Sequence, residues 1–295
     1  MMEFFKYIMY ATCWRILRAL PATSAYKFGD LVAELARSKN GKSIARLRRN
    51  LQRVKPEFSK SELEALVKKS MRSYLRYWVD TFRFPDWSKE QILNSVKTIN
   101  EKYFYESLAA GKGLIVALPH AGNWDHAGAF FCAQGIKLTT VVEHLKPERL
   151  FRRFLAHREA MGMEALDLNL RVTATLAERL RSGTLVALVS DRDLSKSGIK
   201  VNFFDGIAKM PSGPAALALQ TGAALVTAYV SYTETGICIE FEAPIPVPVS
   251  GSREDKIATM TQLCADSFAR NISRYPEDWH MLQRIWIDGD FVERD

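Results

Sequence analysis

GLIVALPHAGNWDHAG, residues 113–128, joins an uninterrupted apolar run to a turn that opens a helix. Leu114–Leu118, between Gly113 and Pro119, has the length and composition of a buried strand. Gly122 permits a tight turn and Asn123 is a good N-cap, so a helix over Trp124 to Gln134 follows. The same rhythm recurs downstream. Strands are predicted at Leu138–Val142, Leu185–Val189, Leu225–Val230 and Ile237–Phe241. Helices alternate with them over Pro147 to Met161, Val172 to Arg181 and Pro214 to Gln220, the last two closed by Gly183 and Gly222. This alternation predicts an α/β fold, with a central mixed, mainly parallel sheet flanked by helices on both faces. The stretch VTAYVSYTETGICIEFE turns near Thr235 and Gly236 and adds the antiparallel part. Asp255 to Ser273 reads as a late helix, and YPEDWHMLQRIW as a short C-terminal one.

Upstream, Ser59 and Glu62 have capping-box spacing. Leu63, Leu66, Val67, Met71, Tyr74, Leu75 and Trp78 then recur at helical intervals up to a break at Pro85. The aromatic stripe on this helix reads as core. Residues 1–100 thus form a mostly helical, basic, membrane-facing N-terminal extension to an α/β catalytic core at 101–295, all in one domain. The 295 residues are 47% hydrophobic and 25% charged, which is globular composition. No linker, repeat or low-complexity tract divides them.

Charge is unevenly placed. The first hundred residues hold 20 Lys and Arg against 9 Asp and Glu, a net of +11, and the whole-chain +8 leaves −3 for the rest. A single cluster such as Arg46, Arg48, Arg49 and Arg53 reads as a solvated face. Association of cations with Phe4, Phe5, Tyr7, Trp14 and Tyr26 points instead to an anionic phospholipid surface, with no nucleic acid expected. The apolar start is broken by Lys6, Arg15 and Arg18, and its longest uncharged run is too short to span a bilayer. Cys13, Cys132, Cys238 and Cys264 fit neither a metal pattern nor a disulfide framework, which suits a reducing, cytoplasm-facing location.

His120 stands at a strand's C-terminal end, where open α/β sheets gather reactive groups. Asp125, in the first turn of the next helix, lies close enough to turn back to the ring. Such a pair fixes the imidazole tautomer and frees one nitrogen as a base. His126 points to another side of the helix and reads as structural. His120, Asp125, His126 and His144 are metal-ligand types, but their spacing matches no zinc pattern, and no metal is expected. There is no G-x-S-x-G, and neither Ser190 nor Ser212 sits in a nucleophile elbow, so a base at His120 acts on a substrate hydroxyl.

The segment His120-Ala-Gly-Asn-Trp-Asp125 matches the H-x4-D motif of the glycerolipid and lipid A acyltransferase superfamily. Six further blocks extend the likeness: RRNLQRV (48–54), EHLKPERLFRRFLAHREAMG from Glu143, SDRDL (190–194), VNFFDG (201–206), MPSGPAALALQTGA (210–223) and YPEDWHMLQ. Together they most resemble bacterial phosphatidylinositol mannoside acyltransferases, relatives of the late lipid A acyltransferases. The resemblance implies transfer of a fatty acyl group from coenzyme A thioester to a sugar hydroxyl of a glycolipid acceptor. It places the reaction at the cytoplasmic face of the inner membrane, with acyl-CoA as substrate and no cofactor.

The same resemblance makes His120 the catalytic base and puts its relay carboxylate at Asp191, where the family has Glu. Because Asp is one methylene shorter, Asp125 and Asp191 both stay open as the relay. Arg158, Arg192, Ser197 and Gln220 are implied on the acyl-CoA side. Backbone N–H groups at Gly122 and Asn123, or Arg158, are candidate oxyanion donors. An enzyme of the same superfamily with another acceptor, such as a lipid A-like glycolipid, is the alternative reading. A non-enzymatic membrane- or nucleic-acid-binding protein is the other.

Overall fold

The computed structural model describes residues 2–288 apart from 145, 146, 170, 194 and 196, with side chains from residue 8 onward. Four helices come first: α1 (Met2–Ala19), α2 (Ala22–Ser38), α3 (Lys42–Val54) and α4 (Lys60–Arg83). The capping box at the start of α4 forms as the sequence predicts, with Ser59 accepting from the Glu62 N–H and Glu62 reaching back to the Ser59 N–H. A cap of this kind contributes about 1 kcal/mol. Pro85 falls in a single 3-10 turn, Phe84–Asp86, which ends the helix.

The remaining elements are α5 (Lys89–Asn94), β1 (Val96–Ile99), α6 (Lys102–Ala109), β2 (Leu114–Leu118), α7 (Trp124–Ala133), β3 (Leu138–Val142), α8 (Glu148–Ala160), β4 (Met163–Asp167), α9 (Val172–Arg181) and β5 (Leu185–Val189). There follow β6 (Ile199–Phe203), β7 (Gly206–Met210), α10 (Gly213–Thr221), β8 (Ala224–Tyr232), β9 (Ile237–Phe241) and α11 (Arg253–Arg274). Seven strands form one sheet in the order β1-β9-β8-β2-β5-β3-β4, while β6 and β7 pair as a separate hairpin. Every neighbouring pair of the large sheet is parallel except β8–β9. The expected mixed, mainly parallel sheet is therefore present.

Strand β2 shows why the apolar run is continuous. Leu114, Val116 and Leu118 pack on one face with Ala127, Ala129 and Phe131 of α7, while Ile115 and Ala117 join Leu176 and Leu180 of α9 and Leu217 of α10 on the other. Side chains alternate across a strand, so covering both faces requires every residue to be apolar. Edge positions need no such run. The two edge strands, β1 and β4, mix charged and apolar residues and escaped prediction: Met163–Asp167 reads MEALD, with only Met163 and Ala165 buried.

The C-terminal stretch corrects the sequence reading. YPEDWHMLQRIW forms one 3-10 turn, Pro276–Asp278, and then runs extended, bridging Ala121 through Trp279 and Ala208 through Trp286. Its backbone groups are spent on the His120 loop: the His280 N–H donates to the His120 carbonyl at 2.7 Å, and the Gly122 N–H donates to the Asp278 carbonyl at 2.8 Å. Those bonds are unavailable to a helix.

The N-terminal helices corrected a second expectation. Trp14 is buried against Phe82, Phe154 and His157, and the Tyr26 hydroxyl donates to Asp80 at 2.6 Å, so neither faces outward. The side chains of Phe4, Phe5 and Tyr7 lie outside the described residues. Exposed apolar residues on α1 and α2 are instead Ile8, Met9, Ile16, Phe28, Leu31 and Leu35. Within the arginine cluster of α3, Arg48 pairs with Glu64, and Arg53 pairs with Asp288 while lying over the Trp286 ring. Among the described residues no helix is long and apolar enough to cross a membrane.

Candidate active site

The parallel register of β2 and β5 sets Leu118 opposite Val189. Two residues beyond that pair, at the strands' C-terminal ends, stand His120 and Asp191. Adjacent strand ends bring the two side chains together without any long reach, so the short Asp side chain meets the ring. His120 Nδ1 lies 2.5 Å from Asp191 Oδ1. Asp191 Oδ2 accepts from the His120 backbone N–H at 3.1 Å and from Trp279 Nε1 at 2.9 Å. The carboxylate is fully buried, whereas the His120 side chain is 40% exposed. Burial alone raises the Asp191 pKa, but the opposing charge of His120 and the hydrogen bonds from His120 and Trp279 outweigh it, leaving the carboxyl below its ordinary value. An ionised Asp191 can only accept, so Nδ1 carries a proton, and in the neutral imidazole Nε2 is the nitrogen left with a lone pair.

Gly122 lets the loop turn back under this pair. Its φ is +55°, and a Cβ there would stand 2.5 Å from the Val230 carbonyl oxygen of β8. Both the left-handed backbone and the close approach restrict the position to glycine.

Asp125 does not turn back to the ring. Its Oδ1 accepts from Arg158 Nε at 2.7 Å, and its Oδ2 accepts from Arg158 Nη2 at 3.1 Å and Tyr77 Oη at 3.0 Å. The N-cap at Asn123, whose Oδ1 accepts from the His126 N–H, points the first turn of α7 toward α4 and α8. Asp125 therefore locks three helices together, and the ring partner is Asp191. Two of the expected oxyanion donors are engaged: Arg158 is bidentate to Asp125, and the Gly122 N–H is held by Asp278, while the Asn123 N–H has no partner among the described residues.

His126 is buried beside Phe84 and Trp87 with Ser95 Oγ 2.9 Å from Nε2, and His144 pairs with Glu148 and Asp167. The four candidate metal ligands thus disperse to separate partners. Arg192 follows Asp191 at the same edge, half-buried and with no ion-pair partner among the described residues. Ser197 is exposed on the loop after β5, its Oγ 2.9 Å from Ser195 Oγ. Gln220 is not brought to the site. It stands in the last turn of α10, shortly before Ala224, which pairs with Leu114, so it lies at the opposite, N-terminal edge of the strands.

Sequence reading missed the support behind the loop. Ser73 Oγ donates to Asp278 Oδ1 at 2.6 Å and lies 2.8 Å from His280 Nε2, and Tyr232 N–H donates to Asp278 Oδ2. The block YPEDWHMLQ was the available signal, but its partners come from α4 and β8, far away in sequence.

Between the sheet and α7 lies a narrow apolar cavity of about 70 Å³, lined by side chains such as Val116, Leu118, Trp124, Gly128, Val189 and Phe241. Its few polar walls include Asp125 and Arg158. The Trp124 ring meets the His120 ring edge-on at 5.5 Å, so the imidazole and the cavity share a wall.

The Trp124 ring thus stands between the His120–Asp191 pair and an apolar cavity whose walls suit a hydrocarbon group. A model of the bacterial lipid A biosynthesis acyltransferases matches residues 2–287. The chain belongs to that family. It is an acyltransferase. A phosphatidylinositol mannoside acyltransferase of Mycolicibacterium smegmatis is 38% identical over 281 residues, spanning 94% of this chain and 90% of the relative. One of Mycobacterium tuberculosis is 36% identical over 283 residues, spanning 94% and 87%.

Buried ionisable groups around this acyltransferase's site make its stability pH-dependent. Burial pushes His126 and His157 down to about 4 and, with the charge of His120, pushes His280 down to about 3. Each stays neutral when folded and charges when unfolded, so its contribution is present above about 6.5 and lost as the pH falls through the folded values. Burial pushes Asp80 and Asp278 up to about 6. Their contribution runs the other way, being present below the unfolded value and lost as the pH rises through 6. Between pH 6 and 4 the unfolded chain holds more protons at three histidines and the folded protein at two aspartates. A net of one proton predicts a stability loss of about 1.4 kcal/mol per pH unit. Urea melts at pH 6, 5 and 4 measure this slope; an unchanged midpoint would contradict it.

Proposed function

We propose that the protein moves a long-chain fatty acyl group from acyl-CoA to a sugar hydroxyl of a phosphatidylinositol mannoside-type glycolipid, with His120 as general base. The observation that carries this reading is the His120–Asp191 pair opening beside the apolar cavity. Nε2 takes the proton of the acceptor hydroxyl as its oxygen attacks the thioester carbonyl carbon. The tetrahedral intermediate then collapses, the carbon–sulfur bond breaks, and Nε2–H returns the proton to the departing thiolate. No covalent enzyme intermediate is required, because a thiolate is already a competent leaving group. Asp191 stays ionised throughout and stabilises the imidazolium. The acyl tail lies in the cavity, and Arg192 faces the donor's phosphates. Trp124 and Asp125 begin α7 with backbone N–H groups that have no partner among the described residues, and the positive end of that helix favours developing negative charge.

Acceptor choice rests on the relatives' names. Incubating the protein with labelled palmitoyl-CoA and a panel of phosphatidylinositol mannosides, lipid A precursors and other glycolipids, then identifying products by mass spectrometry, tests it. Acylation of the mannosides is the expected result; preference for another acceptor would replace this reading with the alternative one.

The exposed apolar residues of α1 and α2, together with exposed Arg15 and Lys27, support a peripheral position on the cytoplasmic face of the inner membrane. Apolar insertion and cationic attraction combine at such a surface, each Lys or Arg adding about 1 kcal/mol near anionic lipid. Cosedimentation with anionic vesicles at low salt is expected and should weaken at least tenfold in Leu31→Glu/Leu35→Glu. A wild-type protein that stays in the supernatant refutes the attachment.

A further inference from the structure

The cavity's length and one of its side walls suggest what limits the acyl chain. Both ends of β5, Leu185 and Val189, line it. The four strand steps between them span roughly 13 Å at about 3.3 Å each. Phe104 and Phe131, stacked at 4.2 Å, line it two turns of α7 beyond Trp124.

Gly128 stands partway down. It lies one helical turn after Trp124 on α7, about 6 Å further from the mouth at 1.5 Å per residue. A Cβ placed there would meet Met163 Cε at 2.6 Å and Sδ at 3.0 Å, with Leu138 Cδ1 at 3.7 Å. The tip of Met163 therefore occupies the notch that the missing Cβ leaves. Met163 is buried and lines the same cavity. A thioether side chain is flexible enough to swing, and the empty space beside it is the channel itself.

We propose that Gly128 and Met163 together set the acyl-chain length: glycine parks the thioether in the wall and so keeps the deep half of the cavity open. A larger residue at 128 drives the Met163 tip into the channel, and a smaller residue at 163 widens it. The inference rests on the acyl-transfer reading and adds to it which residues select the donor.

Transfer is measured with acyl-CoAs of 8 to 20 carbons for wild type, Gly128→Ala and Met163→Ala. Gly128→Ala is expected to lower kcat/KM for palmitoyl at least tenfold relative to octanoyl, since a single methylene in an apolar pocket shifts selectivity about 10- to 200-fold. Met163→Ala is expected to move the optimum toward 18 and 20 carbons. Ratios between chain lengths within one preparation are independent of how much enzyme is folded. Equal loss at every length in both variants, or unchanged profiles, overturns the proposal.

Binding of free fatty acids of the same lengths, followed by calorimetry, needs neither donor thioester nor acceptor. A chain-length step that shifts with Gly128→Ala in binding, without any transfer by wild type, would refute the transfer reading and support the length determinant. Transfer with a profile that ignores both substitutions would do the reverse.

Discussion

Replacing His120 with Ala is expected to lower kcat for acyl transfer by about 10²- to 10⁴-fold, the usual contribution of a positioned general base. Asp191→Asn should lose nearly as much while leaving the fold intact. Asn can present an N–H to Nδ1, which moves the ring proton to Nε2 and removes the lone pair that must face the hydroxyl. Trp279 and the His120 backbone N–H both donate to Asp191 Oδ2, which holds the carboxylate with Oδ1 toward the ring. Initial rates with palmitoyl-CoA, alongside a melting curve for each variant, measure the effect. Asp125→Asn distinguishes the two carboxylates: the sequence left both as candidate relays, but Asp125 is bonded to Arg158 and Tyr77. If Asp191→Asn kept more than a tenth of wild-type kcat, Asp191 would not be the relay.

Arg158→Ala should destabilise the protein by about 3–5 kcal/mol, because it strands a buried carboxylate. The Asp125 side chain is 5% exposed and that of Arg158 is 14% exposed, far from the surface pairs whose contribution is about 0–1 kcal/mol. Burial alone would lower the Arg158 pKa, but the charge of Asp125 overcomes it and keeps the guanidinium charged. The double variant Asp125→Ala/Arg158→Ala removes both charges and should cost less than the two single variants together. Urea denaturation of the four proteins gives the coupling. A loss below 1 kcal/mol in Arg158→Ala would mean that water reaches the pair. Since Arg158 and Asp125 line the cavity, the same variant should also weaken binding of the acyl donor.

Much of the fold was legible because local chemistry dictated it. Leu114–Leu118 had to be a strand covered on both faces, Ser59 and Glu62 had to open α4, and Gly122 with Asn123 had to turn into α7. These signals reside in residues a few positions apart. The edge strands β1 and β4 were not legible, because a strand with one free edge and half-buried faces has no distinctive run. The C-terminal stretch misled for a related reason: Pro276 to Trp279 has the composition of a helix start, yet its backbone partners are Ala121, Gly122 and His120, about 160 residues earlier.

The site divides along the same line. By itself the sequence singled out His120 as the candidate base, from its place after a continuous apolar strand and at the head of the H-x4-D block, and it pointed to the acyltransferase family through seven blocks in order. Tertiary structure alone decided which carboxylate meets its ring. Chain proximity favoured Asp125, five residues away. The parallel register of β2 and β5 instead set Asp191 beside the ring, while Arg158 and Tyr77 drew Asp125 to α8 and α4. A carboxylate takes the strongest donors within reach, and reach across a sheet is fixed by strand register rather than by distance along the chain.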